Sequence, residues 1–257
     1  MALLDRDGVR IRYDVAGQGP AVLLTHGFSA SSHLFAGSVE ALRADHTVIT
    51  WDVRGHAGSE AGADPAAYTV PACVVDMVSV LDAAGAERAV VGGHSLGGFL
   101  ALELWLAHPE RVRALVLIGT GPGFRKDEPR EAWNRRAGRI AAGLEADGLA
   151  ALGAGDDVRT GVHRDARGLA LAARGILAQH DGRVIDALPA IDVPTLVVVG
   201  EHDAAFRAGA QYLGDRIPGA ELVVVPGAGH APNLSRPAEF HRHLRDFLTR
   251  LPVEEAR

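Results

Sequence analysis

A chain of 257 residues, 47% apolar and 23% charged, has the size and composition of one large globular domain that buries roughly 70–75% of its unfolded surface, which excludes intrinsic disorder. Its 32 acidic and 26 basic residues leave a net charge of −6, without the basic excess that neutralises phosphates, so nucleic acid is not expected as a partner. The single cysteine, Cys73, excludes an intrachain disulfide and lies in an apolar periodic stretch that reads as core.

The first residues, Met1 to Asp7, hold two acids where a secretory signal needs a basic region and then an apolar one. Apolar runs such as Ala114 to Ile118 are far shorter than the roughly 20 residues that span a bilayer. The expectation is a soluble, cytoplasmic protein with no membrane partner. Short β-branched runs predict strands at Val9 to Val15, Ala21 to Thr25, Thr47 to Trp51, Ala89 to Gly92, Ala114 to Ile118, Thr195 to Val199 and Glu221 to Val225. Turns at Arg6-Asp7-Gly8 and Gly17-Gln18-Gly19-Pro20 predict an antiparallel pair at the amino end.

Between the strands, helices are predicted near Leu34 to Arg43, Pro71 to Ala84, Leu96 to Ala107, Arg207 to Arg216 and Pro237 to Arg250. Thr69 and Pro71 suit a helix start, Gly85 suits its stop, and Val74, Val78 and Leu81 form its apolar stripe. The stretch from Leu96 to Leu106 is apolar nearly all round and belongs in the interior. Strands alternating with helices define an α/β class with a mostly parallel sheet. The alternation breaks between Thr120 and Pro189, where Asp127 to Asp147 and Asp165 to His180 read as helices and Gly153-Ala154-Gly155 divides them. This stretch, 121–189, is expected to form a helical cap on a core made of 1–120 and 190–257.

The chemistry concentrates where the strand Ala89-Val90-Val91 runs through Gly92-Gly93-His94-Ser95-Leu96-Gly97-Gly98 into the buried helix. Gly-x-Ser-x-Gly in that context holds a nucleophile on a strained turn, because glycines on either side leave room for the neighbouring strand and helix. The backbone N–H of Leu96, at the helix start, lacks an intrahelical partner and suits an oxyanion. A second donor is the N–H of Phe28, in His26-Gly27-Phe28 directly after a strand. A serine needs a base and an orienting acid. Two further strand ends supply candidates: Gly200-Glu201-His202-Asp203, and Gly229-His230 27 residues beyond Asp203. Glu201 is the rival acid.

The chain resembles the α/β-hydrolase family over nearly its whole length. The motifs that carry the resemblance fall in family order: His26-Gly27, Asp52 to Ser59, Gly93 to Gly98, His108-Pro109-Glu110-Arg111-Val112, Gly200 to Asp203 and Gly229-His230. The resemblance implies a mostly parallel eight-stranded sheet flanked by helices, with a helical cap inserted after the sixth strand. It also implies catalytic Ser95, Asp203 and His230, in the family's Ser, acid, His order. Two positions depart from the family pattern: Ala57 where glycine is frequent, and Ser235 where glutamate is frequent. Both bear on loop support rather than on the three catalytic positions.

His94 is expected to pack away from the pocket, and His26 and His56 to brace the oxyanion region by hydrogen bonds. His241 and His243, two apart on a helix, do not share a face and make a poor metal pair. Neither a Gly-x-Gly-x-x-Gly nor a P-loop is present, so no cofactor and no metal is expected.

Ser95 at the elbow argues against the epoxide hydrolases and haloalkane dehalogenases of the fold, which use Asp there. Lys126, the only lysine, lies in the cap, away from the place a hydroxynitrile lyase requires. The expected reaction is hydrolysis of a small ester or enol-lactone through an acyl-enzyme, as in small carboxylesterases and 3-oxoadipate enol-lactonase. The enzymatic alternatives are a carbon–carbon bond hydrolase and a cofactor-free perhydrolase; the non-enzymatic one is a small-molecule receptor with a vestigial triad. Specificity resides in the cap, where Phe124, Trp133, Leu144 and Leu149 either line an apolar pocket or pack helices together. There, Arg125, Arg135 and Arg136 either meet a substrate carboxylate or lie solvated. A homo-oligomer is compatible with the sequence.

Overall fold

The computed structural model describes residues 1–62, 64–153, 158 and 160–252. Eight strands form one sheet in the order β1-β2-β4-β3-β5-β6-β7-β8. They are β1 (Ala2–Arg6), β2 (Val9–Ala16), β3 (Ala21–Thr25), β4 (Thr47–Trp51), β5 (Ala89–His94), β6 (Val112–Ile118), β7 (Thr195–Gly200) and β8 (Glu221–Val225). The predicted amino-terminal hairpin is present: β1 pairs antiparallel with β2 so that Arg6 faces Val9. Asp7 and Gly8 both take positive φ, 54° and 79°, as a tight hairpin turn with the twist of its strands requires. From β4 onward every pairing is parallel, and all catalytic candidates lie just beyond the carboxyl ends of these strands.

Alternation along the buried strands builds two cores. Leu23, Ile49, Val91, Leu115 and Val197 face α2 (Val70–Ala83) and α3 (Leu96–Ala107). Their chain neighbours Val22, Val48, Val90, Val116 and Val198 face Phe240, Leu244 and Phe247 of α9 (Pro237–Thr249). The period of two puts successive side chains on opposite faces, and both faces are covered.

The helices follow the punctuation read from the sequence. The Thr69 side chain accepts the Ala72 N–H at 3.2 Å to cap α2, and α3 begins directly at Leu96. Around Leu34 the chain first makes a tight turn, Ser32–Phe35, before α1 (Ala36–Leu42). Between β6 and β7 come α4 (Asp127–Asp147), α5 (Ala166–Ala172) and α6 (Arg183–Ala187), with no strand among the described residues of the insertion. The helix expected over Asp165 to His180 stops earlier: Asp165 caps it through the Gly168 N–H at 3.0 Å, and its end widens into a π-turn at Ala173–Leu177. There the Tyr68 carbonyl abuts Gly175, so close that a Cβ would stand 1.7 Å away. Of the expected Gly153-Ala154-Gly155 divider, Ala154 and Gly155 lie outside the described residues. The short helices α6 and α8 (Pro232–Ser235), and α7 (Arg207–Arg216), complete the fold.

Candidate active site

Ser95 sits between β5 and α3 with φ 52° and ψ −115°, a conformation that L-residues adopt only when the surroundings enforce it. Three contacts enforce it. The Ser95 N–H donates to the Ile118 carbonyl at 2.8 Å, and the Thr120 hydroxyl donates to the Ser95 carbonyl at 2.7 Å. The third is glycine packing: a Cβ on Gly93 would lie 2.1 Å from the Gly97 carbonyl carbon, and one on Gly97 would lie 2.0 Å from the Thr25 carbonyl oxygen. The turn is therefore possible only with these residues.

The ends of β7 and β8 bring an acid and an imidazole together. His230 Nδ1 donates to Asp203 Oδ2 at 2.8 Å, and Asp203 Oδ1 accepts the Phe206 N–H at 3.2 Å. The Asp203 side chain is buried, whereas that of His230 remains 30% exposed, so one edge of the ring stays reachable. Glu201, the rival acid, instead accepts the Gly227 N–H at 2.8 Å on the exposed surface. The Phe206 ring stacks on His230 with centroids 4.8 Å apart.

His94 joins this pair to the elbow. Its Nε2 donates to the His230 carbonyl at 3.0 Å, and its ring centroid lies 4.4 Å from that of His230. Burial, and then the neighbouring His230 ring, push its pKa down to about 3, so it is neutral throughout the working range. A Cβ on Gly27 would stand 2.9 Å from His94 Nδ1 and 3.2 Å from Ser95 Cβ, so the loop carrying Phe28 lies directly against the elbow.

His26 braces that loop by hydrogen bonds, as expected, whereas His56 reaches it by ring contacts, its Nδ1 donating to the Arg54 carbonyl at 3.3 Å. His26 Nε2 accepts the Val53 N–H at 3.0 Å while Nδ1 donates to the Gly27 carbonyl at 2.7 Å. The His56 ring contacts those of His26 and Phe28 at 5.2 and 5.5 Å. Asp52 accepts the Ser32 and Gly58 N–H groups at 2.7 and 3.0 Å, joining the stretches that follow β3 and β4. His163, from the insertion, was not singled out by sequence reasoning. Its Nδ1 accepts the Ala57 N–H at 3.1 Å and its Nε2 donates to the Ser29 carbonyl at 2.9 Å. Ala57 and Ser29 are two of the four non-glycine residues with positive φ among those described, so one imidazole secures two strained backbones.

A cavity of about 250 Å³ opens beside Ser95. Leu96 and Phe99 of α3, Phe124, Trp133 and Leu177 of the insertion, and Phe206 beyond β7 form its apolar wall. Phe124 and Trp133 thus line the pocket, but Leu144 and Leu149 do not. They pack with Ala141, Leu169 and Ala170 between α4 and α5, where helix pairing needs an apolar seam of its own. Arg125 pairs with Asp186 at 2.6 Å and Arg135 with Glu131 at 3.7 Å, while the exposed Arg136 lies 5.5 Å from the Trp133 ring centre. Among the described residues, no group of three or more His, Cys, Asp or Glu side chains could hold a metal ion, and no helix is long and apolar enough to cross a membrane.

Residues 22–243 match the family model described as "Alpha/beta hydrolase family", and the chain belongs to that family of enzymes. It is 31% identical over 266 residues to a Bacillus subtilis (strain 168) protein provisionally named 2-succinyl-6-hydroxy-2,4-cyclohexadiene-1-carboxylate synthase, covering 95% of this chain and 96% of the relative. It is likewise 31% identical to a pimeloyl-[acyl-carrier protein] methyl ester esterase of Aeromonas hydrophila, over 90% of this chain and 96% of that one. Among solved structures, the enol-lactonase from Burkholderia xenovorans LB400 superposes with a TM-score of 0.76 at 27% identity, covering 96% of this chain and all of its own. The protein is a hydrolase of this fold.

Proposed function

We propose that the chain hydrolyses a small ester or lactone through an acyl-enzyme on Ser95, with His230 as base and Asp203 as its orienting acid. The observation that carries this reading is the 2.8 Å Asp203–His230 hydrogen bond packed, through His94, against a strained elbow whose serine lines a cavity. His230 takes the Ser95 hydroxyl proton as Oγ bonds the acyl carbon, and gives it to the departing alcohol as the ester bond breaks. Water then attacks the acyl-enzyme with its proton passing to His230, releasing the acid and restoring the serine. Asp203, accepting from Nδ1, fixes the tautomer that leaves Nε2 free to accept. The Leu96 and Phe28 N–H groups hold the oxyanion, a pair in which losing one donor costs roughly 3–4 kcal/mol of transition-state stabilisation.

Residues 121–189 act as a lid on a catalytic core of 1–120 and 190–257, since Phe124, Trp133 and Leu177 complete the cavity wall. Ester substrates are named for the Aeromonas relative and a lactone for the Burkholderia structure, which supports both bond types. The test is labelling by a fluorophosphonate probe and turnover of p-nitrophenyl acetate. Ser95→Ala is expected to abolish labelling and lower kcat by on the order of 10⁶. Unchanged turnover in that variant would remove the basis for a serine mechanism.

A further inference from the structure

The polar inventory of the cavity is short. Of its lining residues, none carries a formal charge, and the side chains with polar atoms are Ser95, Thr120, Trp133 and Gln179. The Thr120 hydroxyl is taken up by the Ser95 carbonyl, and the Trp133 N–H donates to the Leu177 carbonyl at 2.8 Å. Both therefore face the cavity chiefly with carbon. Gln179 differs. Its backbone is held from both sides by Asn134, which accepts the Gln179 N–H at 2.8 Å and donates to the Gln179 carbonyl at 2.7 Å, yet its side-chain Oε1 is buried without a hydrogen-bond partner. Apart from the reactive serine, Gln179 is the lining residue whose side-chain amide is left unpaired, its Oε1 set against Gly123, on a backbone anchored in place.

Resting on the serine-hydrolase reading, we propose that this cavity selects an uncharged, largely apolar group of the ester, with Gln179 as the residue that reads its polarity, and that it rejects a carboxylate-bearing group. A volume of about 250 Å³ corresponds to roughly eight non-hydrogen atoms, taking about 30 Å³ for each water-sized group. A carboxylate placed against these walls loses its hydration and gains no counter-charge, because Arg125 and Arg135 are engaged elsewhere and neither they nor Arg136 line the cavity. The loss is expected to be at least about 100-fold in kcat/KM. An amide tolerates a neutral hydrogen-bonding group, so methyl esters and ethers of the same length are accepted.

The experiment compares matched neutral and anionic esters on two arms, since either the acyl group or the alcohol group can occupy the cavity. On the acyl arm, p-nitrophenyl hexanoate and methyl p-nitrophenyl adipate are set against the p-nitrophenyl monoester of adipic acid. On the alcohol arm, methyl 4-acetoxybenzoate is set against 4-acetoxybenzoate. The expected result is a kcat/KM lower by at least about 100-fold for the anion on the arm whose variable group enters the cavity, narrowed at least tenfold by Gln179→Arg. Gln179→Leu is expected to slow methyl p-nitrophenyl adipate more than p-nitrophenyl hexanoate, a second reading should the arginine variant not fold. Anionic and neutral esters within tenfold of one another on both arms would overturn the charge selection while leaving the serine mechanism intact. Equal turnover of the neutral esters by Ser95→Ala would instead overturn the mechanism, and the selection with it.

Discussion

His163 shows how much one side chain does between distant segments. It is buried and serves as acceptor for the Ala57 N–H and donor to the Ser29 carbonyl, which only the neutral ring can do at once. Replacement by leucine would leave a backbone donor and a backbone acceptor without partners, for a loss of about 3 kcal/mol in chemical denaturation. Glutamine, with one acceptor and one donor on a planar amide, is expected to recover most of it; equal midpoints for the leucine variant and wild type would show that the two bonds contribute nothing. At the elbow, Gly97→Ala would drive a methyl group to 2.0 Å from the Thr25 carbonyl oxygen. The expected outcome is loss of fluorophosphonate labelling together with a lowered Tm, because strand and helix must separate to admit it.

At the scale of elements, residues that act through their neighbours in sequence were the legible ones. Leu96 to Ala107, Asp127 to Asp147 and Arg207 to Arg216 were expected and observed with the same bounds. The helix α2 carries its own punctuation, and Thr69 caps it where the sequence placed the start. Thr69→Ala is expected to cost about 1 kcal/mol, measured by urea unfolding, since the Ala72 N–H loses its side-chain acceptor. The hydrogen-bonded pair Asp203 and His230 lies where strand ends and spacing put the candidate acid and base. His163 and Gln179 were not legible, for their partners lie far along the chain: Ser29 is 134 residues from His163. Nor does anything in Ala173–Leu177 signal the Tyr68 carbonyl that meets its π-turn, since only tertiary packing brings Gly175 against it.

Over the whole molecule, the buried imidazoles set the response to acid. Burial lowers the pKa of His26, His56, His94 and His163, that of His94 to about 3. In each case the unfolded chain takes up protons at higher pH than the folded one. Their contribution is therefore complete above the unfolded value near 6.5 and is lost as pH falls below it toward the folded values. For a ring as strongly shifted as His94, the loss by pH 5 is about 2 kcal/mol. Denaturant unfolding from pH 7.5 down to 5 is expected to show a steady fall in stability, and His94→Asn is expected to flatten it. A stability that held constant over that interval would contradict the buried neutral rings.

The four residues from Asp203 to Phe206 carry both the carboxylate that hydrogen-bonds His230 and the aromatic ring that stacks on it and walls the cavity. Chemistry and shape are thereby written into the same few peptides, and a mutation that reshapes this wall also disturbs the imidazole. Phe124, Trp133 and Leu177 hang on a separate stretch of backbone with no such obligation. Substitutions on that side reshape the cavity while leaving the Asp203–His230 pair and its stacked ring undisturbed.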